Sequence, residues 1–156
     1  MVLSFDEENE LRDIVKARRK GKKVGQEKLF VDRWLAKFHP DALQWTRIRL
    51  GPVGDTTEAR ALGVTRRWAD AIFIKDGVVN IVEAKLKSEA GAVAQLELYK
   101  KLFPETPEFS QFHSLPVNMI FLAPSVDPVL AELASEKGIE VVTVSFEELG
   151  MTAPSP

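Results

Sequence analysis

Three charged residues lie near the ends of two apolar segments that a turn joins. The segment DAIFIKDGVVNIVEAK, 70–85, begins with Asp70 and ends with Glu83, Ala84 and Lys85. Asp-Gly between two β-rich runs is a strong hairpin signal, because a type I′ turn needs positive φ at both positions. Pairing across this turn places Asp70 opposite Glu83, with Lys85 on the same face. The sequence therefore predicts two carboxylates and an ammonium group together at the end of a covered hairpin.

Two opposed carboxylates repel one another. Directly paired residues hold their Cβ atoms about 4.5–5.5 Å apart, and at an effective dielectric of about 20 the repulsion is about 3 kcal/mol. A divalent cation would offset this, since Mg²⁺ accepts carboxylate oxygens, and Lys85 would then lie near an anionic substrate. The alternative is that the strand ends are exposed, the carboxylates are solvated and Lys85 neutralises one of them.

Other elements must position this hairpin. Hydrophobic periodicity and turn residues predict helices and strands along the whole chain, and Ser88 is predicted to cap the helix that follows the hairpin. The predicted helices cover about 6–20, 26–38, 89–103 and 127–137, and the predicted strands 43–50, 68–74, 78–86, 115–123 and 139–145. This order predicts one mixed α/β domain over 1–150 and a flexible tail over 151–156.

Composition limits the chemistry. The chain has 156 residues, no cysteine and two histidines, so a thiolate or histidine-rich zinc site is excluded and any metal would be bound by oxygen. There is no apolar stretch near the roughly 18 residues of a membrane span, and the first residues are acidic. We therefore expect a cytoplasmic protein with no membrane partner.

The charge distribution is uneven although the net charge is only −2. The run KARRKGKK, 16–23, is almost entirely basic. Such a run is either a solvated helix face or connector, or a patch that contacts phosphates. The second interpretation is supported weakly by further arginines, namely Arg47, Arg49, Arg60, Arg66 and Arg67.

A second motif follows the hairpin. Asp70, then Glu83-Ala84-Lys85, then Gln95-x-x-x-Tyr99 on the next predicted helix resemble the PD-(D/E)XK nuclease superfamily, and most closely its RecB-type branch. The resemblance covers about residues 26–103, with Ala69 where the family often has proline before the aspartate. It implies a restriction-endonuclease-like core, with a central mixed β-sheet flanked by helices.

The resemblance also implies an activity, namely Mg²⁺- or Mn²⁺-dependent hydrolysis of phosphodiester bonds in DNA. Asp70, Glu83 and the Ala84 carbonyl would hold the metal. Lys85 would orient or help to deprotonate the attacking water and stabilise charge on the phosphate. The remaining implied contacts, to the metal water or to the DNA, involve Gln95, Tyr99 and Arg67. For Tyr99, packing in the core is the alternative.

The family often supplies another acidic residue from the N-terminal helix. Glu27 is the best candidate for a further metal ligand, because it shares a helix face with Val31, Trp34 and Phe38. The alternative is an ordinary glutamate at a helix N-terminus, which the helix dipole favours.

Two functions remain open from the sequence. The first is a metal-dependent nuclease acting on DNA, and the second is a non-cleaving component of the same fold that binds DNA or assembles within a phage or mobile-element complex. The presence of Asp70, Glu83 and Lys85 favours catalysis, since a non-cutting protein does not need repelling carboxylates. The small size favours a homo-oligomer or a larger nucleoprotein complex, and RNA is a weaker alternative substrate.

Overall fold

Residues 25–52 and 67–154 are described by the structure, a computed structural model. The predicted helix at 6–20, the basic run at 16–23, Arg60 and Arg66 lie outside these residues. The described residues form a five-stranded sheet with helices packed against both faces. The predicted mixed α/β architecture is confirmed.

The sheet and its helices follow the predicted order. The strands are β1 (Leu43–Leu50), β2 (Arg67–Lys75), β3 (Val78–Ala84), β4 (Val117–Ala123) and β5 (Ile139–Thr143). The helices are α1 (Gln26–Phe38), α2 (Gly91–Leu102) and α3 (Pro128–Glu136), with short 3-10 turns at Phe103–Glu105, Pro107–Phe112 and Glu147–Leu149. The strands lie in sequence order, with β1, β2 and β3 antiparallel and β3, β4 and β5 parallel. Within the two described ranges, no helix combines the length and the apolar character that crossing a bilayer requires.

The β2–β3 hairpin forms as its turn residues predict. Asp76 and Gly77 have φ angles of 51° and 74°, and a type I′ turn needs positive φ at both positions. Lys75 pairs with Val78 across this turn. A Cβ added at Gly77 would meet nothing within 4 Å. Glycine is therefore needed at this position for its positive φ angle and not for a close contact.

Side chains of β3 alternate between two apolar clusters, one on each face of the sheet. Val79 and Ile81 pack with residues of α2 on one face. Val82 and Ala84 pack with residues of α1 on the other face. Because β3 is covered on both sides, a polar residue near its end is enclosed as well. This explains why Glu83 is only 4% exposed.

The predicted cap of the helix after the hairpin is wrong. α2 begins at Gly91, and Ala90 at its N-cap makes no side-chain capping hydrogen bond. The Ser88 hydroxyl instead accepts a hydrogen bond from the backbone N–H of Asp127 at 3.1 Å. Asp127 is itself the side-chain cap of α3. Ser88 therefore connects the segment before α2 to the segment before α3.

Packing extends one residue beyond position 150, where the predicted tail begins. Met151 is buried in the cluster on the α1 face, and its backbone N–H donates to the Phe146 carbonyl at 2.8 Å. The Arg33 guanidinium of α1 donates to the carbonyls of Leu149 and Gly150 at 3.0 and 2.6 Å. α1 thereby holds the C-terminal turn against the sheet.

Candidate active site

Asp70 lies where the β2–β3 ladder ends. The last ladder pair is Ala71 with Val82, and the Asp70 Oδ2 then accepts the backbone N–H of Ala84 at 2.7 Å. The predicted register does not continue as a ladder pair of Asp70 with Glu83, because the Asp70 side chain takes this N–H. The carboxylate of Asp70 is thereby fixed against the end of β3.

Glu83 brings a second carboxylate to the same place. Its Oε1 lies 3.2 Å from the Lys85 Nζ. Its Oε2 is buried and makes no hydrogen bond of good geometry within the described residues, although the Glu83 carboxyl also interacts with the Asp70 and Tyr99 side chains. Leaving a buried polar atom unpaired typically costs about 1–3 kcal/mol. This oxygen is therefore placed to accept a further donor or a cation.

Burial raises the pKa values of both carboxyl groups. Burial, with the Asp70 charge adding to it, raises the pKa of Glu83 to about 8. Burial also raises the pKa of Asp70, although the Ala84 N–H and the Lys85 charge act in the opposite direction. Without a cation, the pair therefore does not carry two full negative charges near neutral pH.

Lys85 provides the positive charge beside this pair. Burial by itself lowers the pKa of Lys85, but the Glu83 carboxylate outweighs burial, and the pKa is raised. The side chain is 18% exposed and also lies 4.0 Å from the more exposed Glu89 Oε2. Its own backbone N–H donates to the Leu122 carbonyl of β4 at 3.0 Å. The ammonium group therefore sits between the buried carboxylates and solvent, so the alternative of solvated strand ends is wrong for Glu83.

Gln95 and Tyr99 lie one turn apart on α2 but have different surroundings. The Gln95 side chain is half-buried, and its Oε1 is a buried atom without a partner among the described residues. Tyr99 is 3% exposed, and its hydroxyl donates to the Trp68 carbonyl at 2.6 Å. Burial and the Glu83 charge raise the Tyr99 pKa. Tyr99 therefore supports the site from the core, as its packing alternative describes, and does not line its surface.

Arg67 is exposed at the first position of β2. Its charge acts to lower the pKa of Tyr99. The side chain is exposed, and its contact with a substrate stays a prediction.

Glu27 lies beside the acidic pair near the start of α1. Burial and the Asp70 charge raise its pKa, whereas Lys85 and a hydrogen bond from the Leu86 backbone lower it. The structure thus brings Glu27 into the field of the site. In residues 25–52 and 67–154, however, no three Asp, Glu, His or Cys side chains form a group that could hold a metal. Glu27 therefore does not complete a three-carboxylate cluster with Asp70 and Glu83 in this conformation.

The donors at the end of the hairpin nevertheless fit a hard divalent cation. Two carboxyl groups meet there, and one of them has a buried oxygen that makes no hydrogen bond of good geometry within the described residues. Mg²⁺ is commonly held through one or two carboxylates while it keeps several waters. Asp70 and Glu83, with the main chain of Ala84 beside them, satisfy that requirement without a third acidic side chain.

A groove of about 830 Å³ lies elsewhere on the molecule. It is lined by residues near the hairpin turn and the end of α1, including Phe38, His39, Lys75 and Asn80. None of the acidic or basic residues of the candidate active site lines it. The chemistry of the hairpin end and this groove are therefore separate features.

Arg47 lies near the site, although from the sequence it was named only among the arginines that support a phosphate-contacting patch. It is half-buried in β1, and its charge acts to lower the pKa of Asp70. A signal was present in LQWTRIRL, because the apolar residues move from an odd position, Trp45, to even positions, Ile48 and Leu50. A regular strand with one covered face does not change parity.

The fold is similar to several solved structures at low sequence identity. A chain in a complex of EndoMS with double-stranded DNA matches over 85% of this chain with a TM-score of 0.51 and 17% identity. AF1548, a protein of unknown function, matches over 78% with a TM-score of 0.53 and 10% identity. VC1899 from Vibrio cholerae matches over 86% with a TM-score of 0.52 and 13% identity.

These matches establish the fold but cover only part of each known structure. The matched regions make up 46% of the EndoMS chain, 64% of AF1548 and 33% of VC1899. The neighbours include endonucleases of the restriction-endonuclease-like fold, and the predicted fold class is confirmed. No protein-family model matches the sequence, and no curated protein matches it significantly.

Proposed function

We propose that this chain is a nuclease that uses Mg²⁺ or Mn²⁺ to hydrolyse phosphodiester bonds in DNA. One observation carries the proposal. Asp70 and Glu83 are enclosed together at the end of a hairpin, burial raises the pKa of both, and the Asp70 charge raises that of Glu83 further, while the buried Glu83 Oε2 makes no hydrogen bond of good geometry within the described residues. Such a pair lowers the stability of the apo protein, so its presence is best explained by a ligand that needs both carboxylates.

The residues of the chain would divide the chemistry among them. The Ala84 N–H holds the Asp70 carboxylate in place through Oδ2. Glu83 would give up its proton when the cation binds, as carboxylate ligands must. A bound Mg²⁺ or Mn²⁺ would polarise a phosphoryl oxygen and lower the pKa of a coordinated water.

Lys85 faces the more exposed side of this arrangement. Its ammonium group would stabilise negative charge that develops on the phosphate and orient the attacking water, which is the main protein contribution in phosphoryl transfer. The unpartnered Gln95 Oε1 would accept a hydrogen bond from a water at the site. Both roles are in keeping with the PD-(D/E)XK type and its RecB-like branch.

DNA is the proposed substrate because cationic side chains lie along the β1–β2 side of the site. Arg67 is exposed at the start of β2, and the Arg49 guanidinium lies 4.5 Å from the centre of the Trp68 ring. Phosphate contacts of this kind supply much of the affinity for nucleic acid. The similarity in fold to a protein solved with double-stranded DNA is in agreement with this choice.

The chain spans less than two thirds of each of the three similar structures described above. We therefore propose that it acts as a homo-oligomer or within a larger nucleoprotein complex, which would supply the additional surface that DNA binding needs. A cytoplasmic location belongs to the same proposal, whereas a place in a phage or mobile-element complex belongs to the non-cleaving alternative.

Cleavage assays with matched variants test the proposed function. Linear, circular and single-stranded DNA are incubated with the full chain in Mg²⁺, Mn²⁺ or EDTA. Glu83→Gln and Lys85→Met remove one member of the site each, while Glu89→Gln and Lys87→Met make the same changes at exposed positions nearby. We expect metal-dependent cleavage that both site variants reduce by at least about 100-fold and that both controls retain.

Two results would contradict this assignment. Cleavage that survives in Glu83→Gln and Lys85→Met would place the active centre elsewhere. Retention of DNA in every condition without cleavage would support the non-cleaving alternative instead.

A further inference from the structure

The β1–β2 ladder is interrupted at one position, directly beside the acidic pair. Residues pair from Leu43 with Ile74 to Thr46 with Ala71, and again from Ile48 with Ala69 to Leu50 with Arg67. The register is the same on both sides of the interruption. Continued through it, that register places Arg47 opposite Asp70, yet the two do not form a ladder pair.

Arg47 has a backbone conformation that non-glycine residues rarely adopt. Its φ angle is 54°. The other non-glycine residue with positive φ in the described ranges is Asp76, where the hairpin turn requires it. In the middle of a strand no turn requires this angle. Left-handed conformations of non-glycine residues cost on the order of 1–2 kcal/mol and persist where the surrounding structure imposes them.

In both strands, the alternation of side chains between the two faces of the sheet changes at the same position. Trp45 and Ile48 both pack against the cluster on the α2 face, although they are three residues apart. In β2, Ala69 belongs to that cluster as well, whereas Ala71 belongs to the cluster on the α1 face. In a regular strand, residues separated by an even number share a face. Both strands therefore change their alternation at Arg47 and Asp70.

This local break explains how the Asp70 side chain reaches β3. A side chain in a regular strand stands roughly perpendicular to the sheet and does not replace a ladder hydrogen bond. Here the Asp70 Oδ2 accepts the Ala84 N–H at 2.7 Å, beyond the last ladder pair of β2 and β3. The carboxylate is thereby brought next to Glu83.

We infer that Arg47 is a positioning residue for the proposed metal site, and that its left-handed backbone rather than its charge sets the orientation of Asp70. This inference rests on the proposed function for its consequence in metal binding. The placement of the Asp70 carboxylate on the Ala84 N–H is independent of that function. The two parts therefore have separate readouts.

Substitutions at position 47 separate backbone from charge. Arg47→Gly removes the charge and adopts positive φ without strain, whereas Arg47→Val also removes the charge but resists positive φ because it is β-branched. Arg47→Lys keeps a positive charge on an unbranched side chain. Thr46→Val, at the neighbouring paired position, is the control for a valine in β1.

The first readout is amide hydrogen exchange at Ala84 in the full chain without metal. The Val79 N–H, which donates to the Pro116 carbonyl at 2.9 Å in the same strand, serves as the internal reference. We expect Ala84 exchange relative to Val79 to be unchanged in Arg47→Gly and Arg47→Lys, and at least about tenfold faster in Arg47→Val. The inference is overturned if Ala84 in Arg47→Val is as protected as in the wild type. It is also overturned if Arg47→Gly loses as much protection as Arg47→Val.

The second readout is Mn²⁺ binding by calorimetry. We expect Arg47→Gly to bind within about threefold of the wild type, and Arg47→Val to bind about 10–100-fold more weakly, as for other residues that orient metal ligands. If Arg47→Val unfolds, Arg47→Asn, which tolerates positive φ without a charge, must still match the wild type, and failure to do so assigns the effect to charge. A wild type that does not bind Mn²⁺ overturns the proposed function, while the exchange of Ala84 still decides the role of Arg47.

Discussion

Replacing Glu83 with glutamine should stabilise the metal-free protein near neutral pH while it removes the proposed activity. The Glu83 carboxyl has a pKa of about 8 in the fold against an ordinary value of 4.5. Between these values the folded chain holds a proton that the unfolded chain has released, so the free energy of unfolding falls as pH rises. Each pH unit corresponds to about 1.36 kcal/mol, and the whole interval to at most about 5 kcal/mol.

Glutamine at this position does not titrate. Its side-chain oxygen can accept from Lys85 as the carboxylate does, but its amide group replaces the buried Oε2. That buried amide costs about 1–3 kcal/mol, which leaves a net gain of roughly 1–3 kcal/mol near pH 7.5. For a domain of this size the melting midpoint should rise by about 3–9 °C. Near pH 5 the gain should vanish or reverse.

Unfolding by heat and by urea in EDTA, at about pH 5 and about pH 8, measures this difference. Glu89→Gln is the matched control, because its 58% exposed carboxylate also faces Lys85. Added Mn²⁺ should raise the midpoint of the wild type at pH 8 and leave that of Glu83→Gln nearly unchanged. A Glu83→Gln variant destabilised equally at both pH values would refute the reasoning, since Glu83 would then be an ionised partner of Lys85.

Three further predictions follow from the same contacts. The association constant for Mn²⁺ should rise by up to about tenfold per pH unit between roughly pH 6 and pH 8, because the cation displaces the Glu83 proton. Calorimetry in two buffers of different ionisation enthalpy measures the number of protons released. Tyr99→Phe removes the donor to the Trp68 carbonyl and should lower the free energy of unfolding, measured by urea titration, by about 1–3 kcal/mol. Its rate of DNA cleavage should stay within about threefold of the wild-type rate. Gly77→Ala should lower the free energy of unfolding by about 1–2 kcal/mol through its φ angle alone, measured by urea titration, with Gly91→Ala as the control at a helical glycine that also has open space.

Sequence alone determined the elements whose causes are local. The hairpin follows from Asp76-Gly77, because these two residues accept the positive φ of its turn. α1 ends at Phe38 as predicted, since Pro40 disfavours a helical residue before it. The burial of Glu83 follows in turn from the long apolar run of β3. The sequence therefore predicted an enclosed acidic end of the hairpin before any tertiary contact was known.

Other features depended on partners far away in the chain. Ser88 is a residue type that often caps helices, but its hydroxyl accepts a hydrogen bond from the Asp127 N–H instead. No local sequence pattern indicates that contact. Tyr99 is a core residue whose hydroxyl donates to the Trp68 carbonyl, a partner in strand β2. The break between Arg47 and Asp70 arises where both strands exchange faces, and each face is defined by helices packed from elsewhere. Short-range propensities act within a few residues, whereas the orientation of the Asp70 carboxylate is a property of three adjacent strands, and only the assembled sheet decides it.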